Sequence, residues 1–169
     1  MKQYIGTKII KAKPATNIES AAIKSRCDVE AVREEYVKAK IPEREGYHVV
    51  YADDYESWSP KDVFEAAYRP CENMTFGLAI EALKKGHKVA RKGWNGQGMW
   101  LYLSSGSKVF YTDLKEETKK GLRGNRCVDG NGFATINSHI DMSAADGSVV
   151  IGWSPSQTDI LAEDWYIVD

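Results

Sequence analysis

The sequence predicts an α+β protein in two parts: a small α+β module over residues 1–70, then an antiparallel β-sheet domain with a leading helix over residues 74–169. Three observations carry this reading. A capping-box signal opens a helical pattern directly after a short β-prone stretch. A second helix signal restarts the chain after Pro70, which places the boundary near residues 70–74. From residue 87 onward, short runs rich in Val, Trp, Tyr and Ile alternate with turns containing Gly, Ser, Asn and Asp.

"YIGTKIIKAK" reads as a strand ended by Pro14. Thr16 and Glu19 form the capping box of a helix or helix pair running to about Lys40 and stopping before Pro42, with Ile18, Ala22, Val29, Val32 and Tyr36 on its apolar positions. "GYHVVY" and "YESW" flank Asp53-Asp54, read as a hairpin with a two-residue turn. Ser59 as N-cap, Pro60 at the first helical position and Asp62 in the first turn predict a short helix in "PKDVFEAAYR", ended by Pro70.

In the second part, Thr75 N-caps "FGLAIEALKKG", with Leu78, Ala82 and Leu83 on the buried face and Gly86 at the C-terminal end. "HKVARKGW", "MWLYL" and "KVFYT" read as strands of one antiparallel sheet, with "SSGS" as the turn before the last. "DLKEETKKG" is a surface helix and "RGNRCVDGNG" a long loop. "FATINSHIDMSAADGSVVIGW" is a hairpin turning at Asp146-Gly147 with type I′ geometry. In the closing segment, Ser156 or Thr158 caps a short helix and Trp165 fills the core.

Composition narrows the function. The 169 residues are 43% hydrophobic and 28% charged, which is globular and excludes disordered and collagen-like classes. With 23 Lys and Arg against 24 Asp and Glu there is no bulk positive field, so a long nucleic acid is not an expected partner. Apolar runs fall well short of the roughly 20 residues of a membrane helix, and the N-terminus has no signal-peptide core, so a cytoplasmic protein with no membrane partner is expected. Cys27, Cys71 and Cys127 lack metal or disulfide spacing and read as reduced structural thiols.

No catalytic set emerges. His48, His87 and His139 stand alone, GxSxG is absent, and Asp53, Asp54 and Glu56 read as turn acids more readily than as a metal site. No catalytic residue, metal or cofactor is therefore expected. "RKGWNGQGMWLYL" lacks GxGxxG and GK[ST], yet it sets the Asn95 and Gln97 amides and the Arg91-Lys92 pair beside the ring of Trp94, the groups needed to stack a purine and bond its edge. The alternative is a hairpin connection with Trp94 in the core. Trp100, inside the apolar run, is the better core residue. "GWSPSQTDILAEDW" gathers Trp153, Ser154, Ser156, Gln157, Thr158 and Asp159 as polar and aromatic partners for a small ligand.

"MTFGLAIEALKKGHKVARKGWNGQGMWLYL" and "HIDMSAADGSVVIGWSPSQTDILAEDWYIV" resemble the second type of Thoeris anti-defence protein, a family of small phage cyclic-nucleotide sponges, through the patterns TFGxAIEALKxGxKVARKGWNG and SQTDxLAEDW. The likeness spans residues 74–169 apart from the middle. It implies a non-enzymatic protein, acting in the cytoplasm of the infected bacterium, that binds glycocyclic ADP-ribose, and in some relatives cyclic dinucleotides, without degrading it. It also implies a homotetramer with pockets at protomer interfaces. Phe76, Trp94, Asn95, Ser156, Gln157, Thr158 and Asp159 carry over as ligand-binding residues; Trp153 stands beside them, and the Arg91-Lys92 pair reads either as phosphate contacts or as an exposed strand end. On that basis Trp94→Ala is expected to weaken nucleotide binding with little change in the melt. Pro155 replaces an alanine expected in many relatives, and residues 112–132 are not family-like. "GYHVVYADDYESWSPKDVFEAAYRP" resembles a module frequent in phage proteins with no assigned activity. Two alternatives stand beside the sponge: a nucleotide-signal hydrolase using Asp159 or Asp164, and a protein-interaction module acting through "SWSPKDVFEAAYR".

Overall fold

The computed structural model describes residues 7–122 and 128–168. The chain divides into two compact units, Met1–Arg69 and Pro70–Asp169. Helices and antiparallel sheets occur in both, so the protein is α+β.

In the first unit, β1 (Lys11–Pro14), β2 (Gly46–Val50) and β3 (Glu56–Pro60) form an antiparallel sheet in that order. The first strand starts later than expected, and residues 1–6 lie outside the described part. The capping box is present: Thr16 Oγ1 accepts from the Glu19 N–H at 3.2 Å, and Glu19 Oε2 accepts from the Thr16 N–H at 2.7 Å. The helical run is a pair, α1 (Asn17–Ser25) and α2 (Val29–Lys38), broken where Arg26 turns left-handed at φ 55° and Asp28 caps the second helix. Ile18, Ala22 and Val32 from the two helices make a small core. Gly46 sits against β3 so closely that a Cβ there would lie 2.2 Å from the Ser59 carbonyl oxygen and 2.6 Å from the Trp58 ring, so only glycine fits. His48 is a buried strand histidine, with Nδ1 2.9 Å from Ser20 Oγ and Nε2 3.4 Å from Glu56. Ser20 is fully buried, which removes it as a nucleophile.

Two local expectations need correction. The β2–β3 loop holds three residues, not two: the Tyr51 N–H bonds the Tyr55 carbonyl, the Asp54 N–H bonds the Tyr51 carbonyl, and Asp54 takes φ 61°. This is a type I turn followed by a left-handed residue. Before α3 (Lys61–Ala67), Pro60 occupies the N-cap position and not the first helical one. The Ser59 hydroxyl bonds the Pro60 carbonyl and caps nothing.

The second unit opens with α4 (Phe76–Lys84), capped by Thr75 and closed by Gly86 at φ 88°. Ala79, Ala82 and Leu83 are its buried positions, with Leu78 half-buried. A five-stranded antiparallel sheet runs in the order β10 (Trp165–Val168), β4 (Lys88–Arg91), β5 (Trp100–Ser104), β8 (His139–Ser143), β9 (Val149–Val150). Met74 bridges Trp165 through two backbone hydrogen bonds, so the start of the unit is tied to its last strand. The core gathers Met74, Ala79, Ala82, Leu83, Val89, Leu101 and Trp165. Trp165 fills it as expected, with 0% exposure.

The strand after "SSGS" does not join this sheet. β6 (Ser107–Phe110) pairs with β7 (Phe133–Ile136) in a separate ribbon, where Phe110 stacks on Phe133 at 4.0 Å. Both edges of β5 are already taken by β4 and β8, so β6 has no ladder to extend. The turn at Asp146-Gly147 is not type I′: only Gly147 is left-handed, at φ 83°, and Ala144 pairs Ser148 across a three-residue loop. Trp100 is half-buried with Lys88 Nζ 5.5 Å from its ring. Strand alternation turns Leu101 inward instead, at 0% exposure. The surface helix is α5 (Glu116–Gly121), and the end of the chain adds α6 (Gln157–Ile160), which Ser156 caps. Cys27 and Cys71 are free thiols but exposed, so neither packs a core; Cys127 and the loop around it, 123–127, lie outside the described residues. Among the described residues no helix is long and apolar enough to cross a membrane.

Candidate functional site

The site begins where β4 ends. Arg91 is its last residue, opposite Trp165 in the β4–β10 register. Its guanidinium reaches two carboxylates: Nε donates to Asp164 Oδ1 at 2.8 Å and Nη2 to Asp164 Oδ2 at 3.4 Å, while Nη1 donates to Asp159 Oδ1 at 2.8 Å. The side chains of Arg91, Asp159 and Asp164 are 10%, 12% and 31% exposed, so most of this ion triad is shielded. The Gly93 N–H donates to Asp164 Oδ2 at 2.8 Å, and a Cβ on Gly93 would fall 2.8 Å from that same oxygen. "RKG" is thus tied to "EDW" before the chain reaches Trp94.

Asp159 is the junction. Its Oδ2 accepts from the Ser156 N–H at 2.9 Å and from Ser156 Oγ at 2.7 Å, completing the capping box of α6. Its Oδ1 accepts from Arg91 and, at 3.0 Å, from the Trp94 indole N–H, and its backbone carbonyl accepts from the Trp165 indole N–H at 3.0 Å. Burial alone would raise its pKa, but the hydrogen bonds from Ser156, Trp94 and Arg91 outweigh it and hold the carboxyl well below the usual aspartate range. Asp164 is likewise held low, chiefly by Arg91, and the Arg91 pKa is raised in return, chiefly by Asp164.

Above this network three tryptophan rings meet edge to face, and Phe76 meets one of them at a tilt. Trp94 lies 5.4 Å from Trp165 and 6.2 Å from Trp153, Trp153 lies 6.2 Å from Trp165, and Phe76 approaches Trp165 at 5.5 Å. Each is an attractive quadrupole geometry for aromatic pairs. The Trp153 loop is pinned separately: its N–H bonds the Ile140 carbonyl, and the Gly152 N–H bonds Asp141 Oδ1 at 3.0 Å. Asp141 is also bonded by Ser104 Oγ and lies 3.4 Å from His139 Nε2.

The structure therefore brings Phe76, Arg91, Trp94, Trp153, Ser156 and Asp159 into one connected cluster. Asn95, Gln157 and Thr158 are not part of its bonding; they are exposed on the two segments that the Trp94–Asp159 bond joins. Among the described residues their side chains, with that of Gln97, make no hydrogen bond within the chain. Three expected site residues also hold the fold together. Both Asp159 oxygens are engaged within the chain, so it serves as an internal anchor. Arg91 is held between its two carboxylates, while among the described residues the Lys92 ammonium meets only the neutral Asn73 side chain, at 3.0 Å. Trp94 is half-buried against the core, with its N–H committed, so the packing alternative holds for one edge of the ring.

Asp159 and Asp164 are both held ionised beside Arg91. A carboxylate held ionised beneath an arginine neither donates nor takes up a proton readily near neutral pH. Among the described residues no group of three acidic, His or Cys side chains is placed to hold a metal ion. Sequence reading missed the supporting roles of Asp164 and Asp141. Asp164 had a signal, since it lies in the same "LAEDW" pattern as Trp165; nothing local distinguishes Asp141.

The comparisons fall on this second unit. The sequence profile described as Thoeris anti-defense 2-like domain matches residues 74–168, from Met74 to the end of β10. The chain is 41% identical over 95 residues to Thoeris anti-defense 2 of Bacillus phage SP01, an alignment covering 56% of this chain and 94% of that protein. Every residue of the cluster around Trp94 falls inside the matched span, and on that match the chain belongs to the Thoeris anti-defense 2-like family.

Proposed function

We propose that the protein is a phage counter-defence factor whose second unit binds and sequesters a cyclic nucleotide immune signal, glycocyclic ADP-ribose and also cyclic dinucleotides, and releases it unchanged. One observation supports the reading: the Arg91–Asp159–Trp94 network holds Trp94 beside Trp153, between two segments on which the Asn95, Gln157 and Thr158 side chains are exposed and, among the described residues, unbonded. An adenine stacked on the open part of Trp94 gains about 1–3 kcal/mol. Nanomolar retention needs about 12 kcal/mol, so ribose and base-edge bonds from Asn95, Gln157 and Thr158, and a diphosphate contact from Lys92, supply the remainder together with enclosure.

Enclosure is the part a second protomer would complete, in a homotetramer acting in the cytoplasm of the infected cell. Exposed Val149, Val150, Ile151 and Leu161, at 44–77% exposure, support self-association, since such apolar surface favours burial. No catalytic role is assigned to any residue. The test is calorimetric titration of the purified protein with glycocyclic ADP-ribose, followed by heat denaturation and chromatography of the released ligand. Tight binding and intact ligand are expected. No heat across cyclic ADP-ribose isomers and cyclic dinucleotides would end the sponge reading, and recovery of a cleaved nucleotide would replace it with a hydrolase.

A further inference from the structure

The family match lies within the second unit, and the first unit, Met1–Arg69, lies wholly outside it. Its surface carries a feature that its small core does not explain. Tyr47 of β2 stacks on Phe64 of α3 at 4.1 Å and 17°, and Phe64 stacks on Tyr68 at 4.9 Å and 26°, giving a half-buried aromatic row. Beside it an open cleft of about 440 Å³ separates the start of α1 from α3. Tyr47 belongs to both, with its hydroxyl donating to Glu65 Oε1 at 2.9 Å inside the cleft.

The charges around the cleft are unequal. Glu19, Glu45 and Glu65 line it against the single ammonium of Lys61, which pairs with Glu45 at 3.2 Å. A contiguous cavity adds Arg44 and Asp62, which offset each other and leave the excess negative charge in place. A tyrosine ring next to surplus carboxylate has a specific chemical complement: a cation on a long apolar stem, whose charge meets the carboxylates while its methylenes lie on the ring.

We propose that this cleft, lined by Tyr47 together with Glu19, Glu45 and Glu65, is a docking site for a lysine- or arginine-rich segment of a partner protein. The site is separate from the nucleotide-binding reading and stands whether or not that reading holds. Tyr47, backed by the stacked Phe64, supplies the ring, and Glu45 and Glu65 supply the charge.

The experiment pans a random decapeptide display library against the immobilised full chain, then measures the selected peptides by fluorescence anisotropy on the wild type, on Glu45→Gln/Glu65→Gln and on Phe64→Ala. Selected sequences are expected to be enriched in Lys and Arg. Their affinity should fall about tenfold or more in each variant, with an unchanged melting temperature for the exposed double substitution, and should weaken on the wild type as salt is raised. The salt titration needs no variant, so it holds even where Phe64→Ala unfolds the first unit. The proposal is overturned if no peptide is selected, if the selected peptides carry no basic enrichment, if they bind Glu45→Gln/Glu65→Gln as tightly as wild type, or if that double variant changes the sedimentation of the protein alone, which would make the occupant a second copy.

Discussion

The Trp94 indole N–H and the Asp159 carboxylate meet at 3.0 Å although they are 65 positions apart in sequence. That bond ties the turn after β4 to the N-cap of α6, so the aromatic residue proposed to receive a base and the loop proposed to bond its edge move as one piece. Preorganisation of this kind reduces the ordering cost of binding.

Trp94 therefore cannot be treated as a surface ring. Trp94→Ala removes half-buried packing and one of the bonds to a shielded carboxylate, and should lower stability by about 2–4 kcal/mol. This revises the expectation of an unchanged melt. Trp94→Phe is the better probe: it keeps an aromatic face and loses only the N–H donor, at about 1 kcal/mol. Urea denaturation of the two variants alongside nucleotide titration checks this, with Trp94→Phe keeping most of the binding.

Arg91 holds two aspartates that would otherwise face each other unpaired. Arg91→Ala should cost about 3–5 kcal/mol, and Arg91→Lys should recover only part of it because an ammonium cannot reproduce the planar, three-bond geometry. Chemical denaturation measures both. Equal stability of Arg91→Lys and wild type would show that the guanidinium geometry is immaterial.

Acid should act on the same triad. Asp159 and Asp164 both lie below the ordinary value of 3.8 in the folded chain, so each contributes stability that is fully present above that value and is lost as pH falls from it through the folded pKa. The urea midpoint followed by tryptophan fluorescence should hold steady near neutral pH and drop below about pH 4. Asp159→Asn should lower the plateau and make the acid drop shallower; an identical pH profile would remove Asp159 as the titrating group.

Asn95, Gln157 and Thr158 are exposed and unbonded, so Asn95→Ala, Gln157→Ala and Thr158→Val should leave the melt within about 0.5 kcal/mol of wild type. On the proposed function each should weaken nucleotide binding by several-fold. Loss of binding without loss of stability separates these contacts from the anchoring residues.

Helix starts were the most readable part of the sequence. Thr16, Thr75 and Ser156 each cap a helix through a partner three residues away, and such a bond needs nothing from the rest of the chain. Turn lengths were less readable: at Asp53-Asp54 and Asp146-Gly147 the position of one left-handed residue makes a three-residue loop of an apparent two-residue one. The partner of β6 was hidden because it depends on which strands already flank β5. At the site, Trp94 and Asp159 were visible as residue types in distinctive segments. Their bond to each other, and the Arg91 bridge to Asp159 and Asp164 across 68 and 73 positions, depend on tertiary contact alone.

Trp94, Trp153 and Trp165 stand 5.4–6.2 Å apart at steep mutual angles, which gives the second unit a built-in optical signal. Indoles this close share excitation, so their near-ultraviolet dichroism depends on the arrangement of all three rings and not on any one of them. A base settling against Trp94 would disturb that shared transition directly, and occupancy would be read in unlabelled protein, at a wavelength where buried Trp165 and half-buried Trp94 report together.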